Sequence, residues 1–425
     1  MAHDLLVSST AREAAPFFYH HNLMSELLLS SILQSHKDAS DLFFVVGKPV
    51  QVEAHGELQS YPDDSEASIL QPLQVEQLAI SLMAGIERLT NDLKEFGACD
   101  CSYAIGCGRF RVNIFRQNGH HAIVMRRLNT AIPTMETLKL QPIFREIIKE
   151  KTGIIFVTGA TGSGKSTTLA AMLNELNQTS KMHIVTLEDP IEFMHQHQKA
   201  TFSQRELGRD FPSFAAGLRS ALRQAPKVIL VGEIRDRETM EIALIAAETG
   251  HVVYSTLHTI NAGQTINRIL GFFTSDEEDL VRERLSDTLR YVVSQRLVPK
   301  VGGGRVMINE IMGSNMRTRE TLRLGEGENR SYSEIIEASA TYGWQTFDRT
   351  LIDCFVQKLI TEETAMNFAT SRNKVRSGID RAKKLGGFEE TTGAASMKLE
   401  MPRFAEVGAP AQREGPSVDL IAIPA

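Results

Sequence analysis

Apolar residues recur with two different spacings in the first third of the chain. They follow a helical period over Leu23–Leu33 and again over Gln74–Glu95. Shorter runs that alternate, or stay apolar between glycines, predict strands at Leu42–Val46, Val50–Ala54, Tyr103–Ile105, Arg109–Phe115 and His121–Arg127. The pattern predicts a small α+β domain over residues 23–128, after a loose leader over residues 1–22.

From Leu138 onward, predicted strands alternate with predicted helices. The strands are Gly153–Thr158, Met182–Leu187, Val228–Val231 and Val252–Thr256, and the helices are Lys165–Leu176, Phe214–Arg223 and Thr239–Glu248. Such alternation predicts an α/β domain with a parallel sheet that is covered on both faces. Beyond Asp276 the pattern predicts helices only, to the end of this domain at residue 385.

Two segments lack a sustained period. Asn129–Thr137 contains a proline and is predicted to be the linker between the two domains. Residues 386–425 are rich in Gly, Ala, Pro and Glu and are predicted to form a disordered tail.

Composition and charge narrow the class of protein. Hydrophobic residues make up 42% of the chain and charged residues 23%, as in ordinary globular proteins. A net charge of −6 argues against a nucleic-acid partner, because phosphate backbones need a basic surface. Met1–Phe18 lacks the pattern of a signal peptide, which predicts a cytoplasmic protein.

The strongest chemical signal is a phosphate-binding loop. The segment Gly159–Ser166 matches G-x-x-x-x-G-K-[ST], and it lies between an apolar strand and a helix as this motif requires. Its glycines let backbone N–H groups surround phosphate oxygens, Lys165 supplies a point charge, and Ser166 is a Mg²⁺ ligand. The predicted ATP-binding residues are Gly159, Ala160, Thr161, Gly162, Ser163, Gly164, Lys165, Ser166 and Thr167.

Acidic residues follow two of the neighbouring strands. Glu233 comes after Val228–Val231, at the sheet edge where nucleotides bind in open α/β folds, and is the candidate general base. A structural salt bridge to Arg235 is the alternative. Glu188 is a candidate for the Mg²⁺ shell, through a water molecule, or for orienting the attacking water; alone, it would be part of an acidic turn. His258 follows the next strand, Val252–Thr256, and is placed to sense the γ-phosphate; the alternative is an ordinary packed or capping histidine.

Several segments resemble those of the secretion ATPase superfamily. The matching motifs are Thr186–Phe193 (TLEDPIEF), Val228–Thr239 (VILVGEIRDRET) and Ala247–His258 (AETGHVVYSTLH). The PilT-like branch, which powers twitching motility, is favoured by Gly108–Phe115 and Gly343–Asp348 and by the lack of a tetracysteine zinc site. The resemblance implies a RecA-like ATPase core with a PAS-like N-terminal domain and C-terminal helices.

This resemblance also implies roles and partners. Arg111 and Arg126 match the family's arginine fingers, and a guanidinium fork suits charge on a transferring phosphoryl group. The family implies a homohexameric motor that hydrolyses ATP with Mg²⁺, peripheral at the inner membrane, where a platform protein of the pilus machine receives the motion. A hinge within Asn129–Thr137 would let the domains swing.

The sequence departs from the family at two places. Ala225 and Lys227 stand where the family has acidic residues, and Arg317–Arg323 matches the retraction motif only loosely. The alternatives are therefore a PilU-like accessory motor or a nucleotide-dependent regulator with little turnover. A nucleic-acid translocase is the third reading.

Overall fold

The computed structural model describes residues 25–106, 108–128, 131–328 and 330–386. The predicted leader and the predicted tail lie outside these residues. Within the described part, no helix has the length and apolar character needed to cross a membrane.

The N-terminal part of the described chain is built on an antiparallel sheet. Its order is β3-β2-β1-β6-β5-β4, and every neighbouring pair is antiparallel. The elements are the helix over residues 25–35 (α1), β1 Ala39–Val45, β2 Val50–Ala54, β3 Glu57–Tyr61, a 3₁₀ turn Glu66–Ser68, α2 Pro72–Met83, α3 Glu87–Glu95, β4 Ala98–Ile105, β5 Gly108–Gln117 and β6 His120–Leu128.

The single helix predicted over Gln74–Glu95 is wrong, because this segment forms two helices. The chain leaves α2 at Ala84 and Gly85, whose φ angles are 50° and 71°. Left-handed backbone at two successive residues cannot continue a right-handed helix. The apolar period continues through the break, so periodicity alone does not reveal it.

The two faces of this sheet differ in polarity. Alternate residues such as Phe110, Val112 and Ile114 are fully buried in a core that includes residues of α1, α2 and α3. The opposite face carries polar side chains, among them Arg109 and Arg111 of β5. Since successive side chains of a strand point to opposite faces, the helices cover one face and leave the arginines on the other.

The second sheet is mixed, with order β13-β12-β7-β11-β10-β8-β9. All neighbouring pairs are parallel except β12–β13. Its elements are α4 Ile143–Ile147, β7 Gly153–Thr158, α5 Lys165–Thr179, β8 His183–Glu188, β9 Thr201–Glu206, α6 Phe214–Ala221, β10 Val228–Val231, α7 Arg237–Glu248, β11 Val252–Leu257, α8 Ala262–Leu270, α9 Glu278–Thr288, β12 Leu289–Pro299 and β13 Arg305–Gly313. Helices α10 Met316–Leu324, α11 Tyr332–Ala338, α12 Phe347–Val356, α13 Glu362–Phe368 and α14 Arg372–Gly386 follow, with a 3₁₀ turn Ala340–Tyr342 after α11.

Helices pack on both faces of this sheet. Alternate strand residues enter two cores, so Ile154 and Phe156 of β7 lie in one core while Ile155 and Val157 lie in the other. The three-layer α/β arrangement confirms the predicted fold class, with the carboxyl ends of β7, β8, β10 and β11 at one edge.

The prediction of helices alone beyond Asp276 is wrong. Strands β12 and β13 form an antiparallel pair, and β12 lies parallel to the P-loop strand β7. Helix α9 passes directly into β12 at Leu289 without a turn residue, so the sequence carries no stop signal there. The strand β9 is a further element that the apolar pattern does not predict.

Candidate functional site

The predicted phosphate-binding loop connects β7 to α5. Gly159, Gly162 and Gly164 have φ angles of 143°, 78° and 90°, which residues with a Cβ rarely adopt. At Gly159 a Cβ would also collide with the Gln295 carbonyl oxygen and the Ser163 hydroxyl. The glycines of the motif are therefore required by this backbone path.

Lys165 begins α5 and lies in the mouth of the loop. Its Nζ donates hydrogen bonds to the carbonyl oxygens of Gly159 (2.8 Å) and Ala160 (3.1 Å). Burial lowers the pKa of Lys165, and the carboxylates of Glu233 and Glu192 oppose that shift. A cation is thus held among the loop carbonyls and close to two acidic residues.

The loop suits a phosphate group. The N-cap Gly164 has no side chain to satisfy the first N–H groups of α5, which lack intrahelical acceptors. The Ser163 hydroxyl is buried and has no hydrogen-bond partner among the described residues. These unpaired donors beside a lysine are what an anion at a helix N-terminus would bind.

Glu188 is the last residue of β8 and is half-buried. Its Oε1 accepts hydrogen bonds from the Thr186 hydroxyl (2.6 Å) and from Gln204 Nε2 (3.0 Å). Loss of solvation raises the pKa of Glu188 to about 7, although both hydrogen bonds act to lower it. Such a carboxyl group can accept or release a proton near neutral pH.

Glu233 lies after the end of β10 and contacts two cationic or titratable side chains. Arg235 forms an ion pair with Oε1, and His258 Nε2 lies 3.6 Å from Oε2. The salt bridge considered as the alternative role of Glu233 is therefore present. The Arg235 side chain is 72% exposed, so water weakens this ion pair. The salt bridge therefore does not by itself make the role of Glu233 structural.

The two predicted arginine fingers lie opposite each other in the N-terminal sheet. Arg111 on β5 pairs with Arg126 on β6 in the strand register. Loss of solvation raises the pKa of Asp189, and the positive charges of Arg111 and Arg235 oppose that shift. Arg126 instead donates to Asp41 Oδ1 (2.8 Å) and is 71% exposed. Of the pair, Arg111 is the one whose charge acts on the loop of residues 189–194 that follows β8, hereafter the acidic loop.

Three residues that contact each other or Glu188 were not predicted as site residues: Arg109, Gln204 and Glu206. Glu206 of β9 binds Arg109, and Gln204 of the same strand donates to Glu188. Strand β9 has the sequence TFSQRE, which has no apolar alternation to identify it. The basic and acidic residues of this contact are far apart in sequence, so only the folded structure brings them together.

The two positions at which this chain lacks the acidic residues of the family lie away from this site. Ala225 and Lys227 precede β10 and are exposed, at the edge of the sheet opposite to the P-loop. Ala225 has a φ of 52°, a conformation that aspartate tolerates better than alanine. Ala225 and Lys227 therefore belong to a turn and not to the sheet edge that carries the phosphate-binding loop.

Comparisons with known proteins agree with this geometry. Residues 105–346 match the family described as type II/IV secretion system protein. The chain is 41% identical to the type IV pilus retraction ATPase PilT of Pseudomonas aeruginosa, covering 80% of this chain and 96% of that protein. It is 39% identical to the type IV pilus ATPase PilU of the same organism, covering 81% and 88%. A crystal structure of the pilus retraction motor PilT with bound ADP matches with a TM-score of 0.74 at 40% identity, covering 82% and 98%.

Proposed function

The chain belongs to the type II/IV secretion system protein family, and we propose that it is an ATP-hydrolysing motor that retracts a type IV pilus. The observation that carries the proposal is the P-loop edge of the ATPase sheet, with the arginine-bearing face of the N-terminal sheet close to its acidic loop. Similarity to PilT over nearly the whole length of that protein supports the direction of work.

The residues divide the chemistry among them. The loop Gly159–Ser166 would bind the ATP phosphates, and Ser166 would hold Mg²⁺, which neutralises phosphate charge when bound. Glu233 would accept the proton of the attacking water. Glu188, with a pKa raised to about 7, would order water in the same site, directly or beside the metal. His258 would sense the presence of the γ-phosphate, and its contact with Glu233 would connect it to the proposed base.

Assembly completes the motor. We propose a homohexamer, since heterologous contacts that close form rings. Nucleotide-driven motion of the N-terminal sheet about residues 129–137 would be passed to a platform protein of the pilus machine at the cytoplasmic face of the inner membrane. The domain bounds 23–128 and 138–385 are part of this proposal.

An accessory motor is the second candidate. It is favoured by the similarity to PilU, which is almost as high as that to PilT. The regulator with little turnover loses support, because Ala225 and Lys227 lie outside the nucleotide edge. Deleting the gene in its host separates the two motors: a main motor is expected to be required for twitching with any load, and an accessory motor only when retraction is opposed. Normal retraction in the deletion strain, even when retraction is opposed by a load, would contradict both.

The two arginines are expected to differ in their effects. Arg111→Ala should lower kcat at least tenfold with little change in nucleotide affinity, since it removes a guanidinium proposed to stabilise charge on the transferring phosphoryl group and leaves the phosphate-binding loop intact. Arg126→Ala should lower thermal stability as well, because it leaves Asp41, which is 10% exposed, without its partner. Steady-state ATPase assays with thermal unfolding of both variants test this. Equal kcat for Arg111→Ala and wild type would contradict its role.

A further inference from the structure

Glu206 connects the N-terminal sheet to the acidic loop of the ATPase core. It is 6% exposed and lies beside Glu188 in the β8–β9 register. Its Oε2 accepts hydrogen bonds from Arg109 (2.5 Å) and from the backbone N–H of Ile191 (3.2 Å). Its Oε1 accepts one from the Ser102 hydroxyl (2.6 Å). One carboxylate therefore binds two strands of one sheet and the loop that follows a strand of the other.

Arg109 is equally buried, with 8% exposure. Besides Glu206, its guanidinium donates to the Ser102 hydroxyl (2.9 Å) and to Met194 Sδ (3.2 Å). Met194 and Ile191 both belong to the segment after Glu188, so Arg109 and Glu206 each form a hydrogen bond with the same loop. A buried ion pair contributes little net stability compared with well-packed apolar residues. Its value here is the fixed geometry that its hydrogen bonds impose.

This contact connects the strand that carries Arg111 with the loop that follows Glu188. Arg109 stands two residues before Arg111 on β5, so both side chains project from the same face. Ile191 stands two residues after Asp189 and belongs to the same loop. Arg109 and Glu206 therefore join the part of β5 that carries Arg111 to the loop that follows Glu188.

We propose that Arg109 and Glu206 are positioning residues that seat the N-terminal sheet on the acidic loop and hold Arg111 in place for ATP hydrolysis. This inference rests on the proposed ATPase function. Neither residue is part of the P-loop, so the pair acts on turnover and leaves nucleotide binding intact.

Kinetics of single and double variants test the proposal. Glu206→Gln and Arg109→Met should each lower kcat roughly tenfold to hundredfold, as small misplacements of reacting groups do, while KM for ATP changes less than threefold. Each should also lower the thermal midpoint, because one buried charge loses its partner. The double variant, with both charges removed, should recover the thermal midpoint but keep the low kcat.

Arg116→Met is the matched control. Arg116 lies on the same strand, is exposed, and has no side-chain hydrogen bond or ion pair among the described residues. Its replacement should change neither kcat nor the thermal midpoint. If the double Arg109→Met/Glu206→Gln variant regained kcat together with stability, the pair would be merely structural and the proposal would be overturned, as it would be if both single variants kept wild-type kcat.

Amide hydrogen exchange gives an answer that does not depend on turnover. Glu206→Gln should speed exchange in peptides covering residues 108–112 and 189–194 together, and Arg116→Met should leave both unchanged. Faster exchange in only one peptide, or in neither, would refute the coupling. A wild-type protein that does not hydrolyse ATP would refute the proposed function, and the exchange result would still decide whether the pair positions the two segments.

Discussion

Lys165→Ala is expected to lower ATP hydrolysis by about three orders of magnitude and to weaken nucleotide binding by about one to two orders. Charge-assisted hydrogen bonds contribute about 1.5–3 kcal/mol each, and the lost ammonium group would contact the β and γ phosphate oxygens. The turnover loss should be larger, on the order of a thousandfold, because charge on the transferring phosphoryl group would lose one of its positively charged partners. Binding of a fluorescent ATP analogue and steady-state hydrolysis measure the two effects separately.

The fold of this variant should remain intact. Burial already lowers the pKa of Lys165, so its charge costs solvation energy in the protein and its removal leaves no buried cation without a partner. Lys181→Ala is the control, since Lys181 is exposed and makes no side-chain hydrogen bond or ion pair within the described residues. A Lys165→Ala protein with wild-type affinity and turnover would remove the basis for assigning the loop to ATP.

The P-loop could be predicted from sequence because its chemistry is local. Strand, glycine loop and helix are consecutive, and the φ angles at Gly159 and Gly164 are those that the motif demands. Glu233 and His258 could be placed by the same logic, since parallel strands end at one edge of the sheet. The contact between their side chains is a detail that the motif does not contain.

The contacts between the two sheets could not be predicted from these patterns. Arg109 and Glu206 are separated by 97 residues, and the strand that carries Glu206 has no apolar period. Arg111 and Arg126 look like ordinary strand residues until the register places them side by side on the polar face. Apolar periodicity identifies which face of a strand is buried in a core, but it does not predict which polar groups form contacts across an interface.

Glu233→Gln is expected to lower kcat by about two to four orders of magnitude while nucleotide affinity stays close to that of wild type. An amide is isosteric with the carboxylate but cannot accept the proton of the attacking water, and general-base catalysis contributes about 10²–10⁴ in rate. Single-turnover hydrolysis, measured with the Mg²⁺–ATP complex in excess of its dissociation constant, isolates this step. Glu238→Gln is the control, because it changes an exposed carboxylate on the neighbouring helix that pairs with Arg219.

A second substitution separates the base from the salt bridge that Glu233 makes with Arg235. If pairing with Arg235 were the main role of Glu233, Arg235→Gln would lower kcat as much as Glu233→Gln does. If Glu233 is the base, Arg235→Gln should retain most of the wild-type kcat, since Arg235 is largely exposed and the carboxylate would remain in place. Equal losses in the two variants, or wild-type turnover in Glu233→Gln, would assign Glu233 to structure and leave Glu188 as the residue to test for proton transfer.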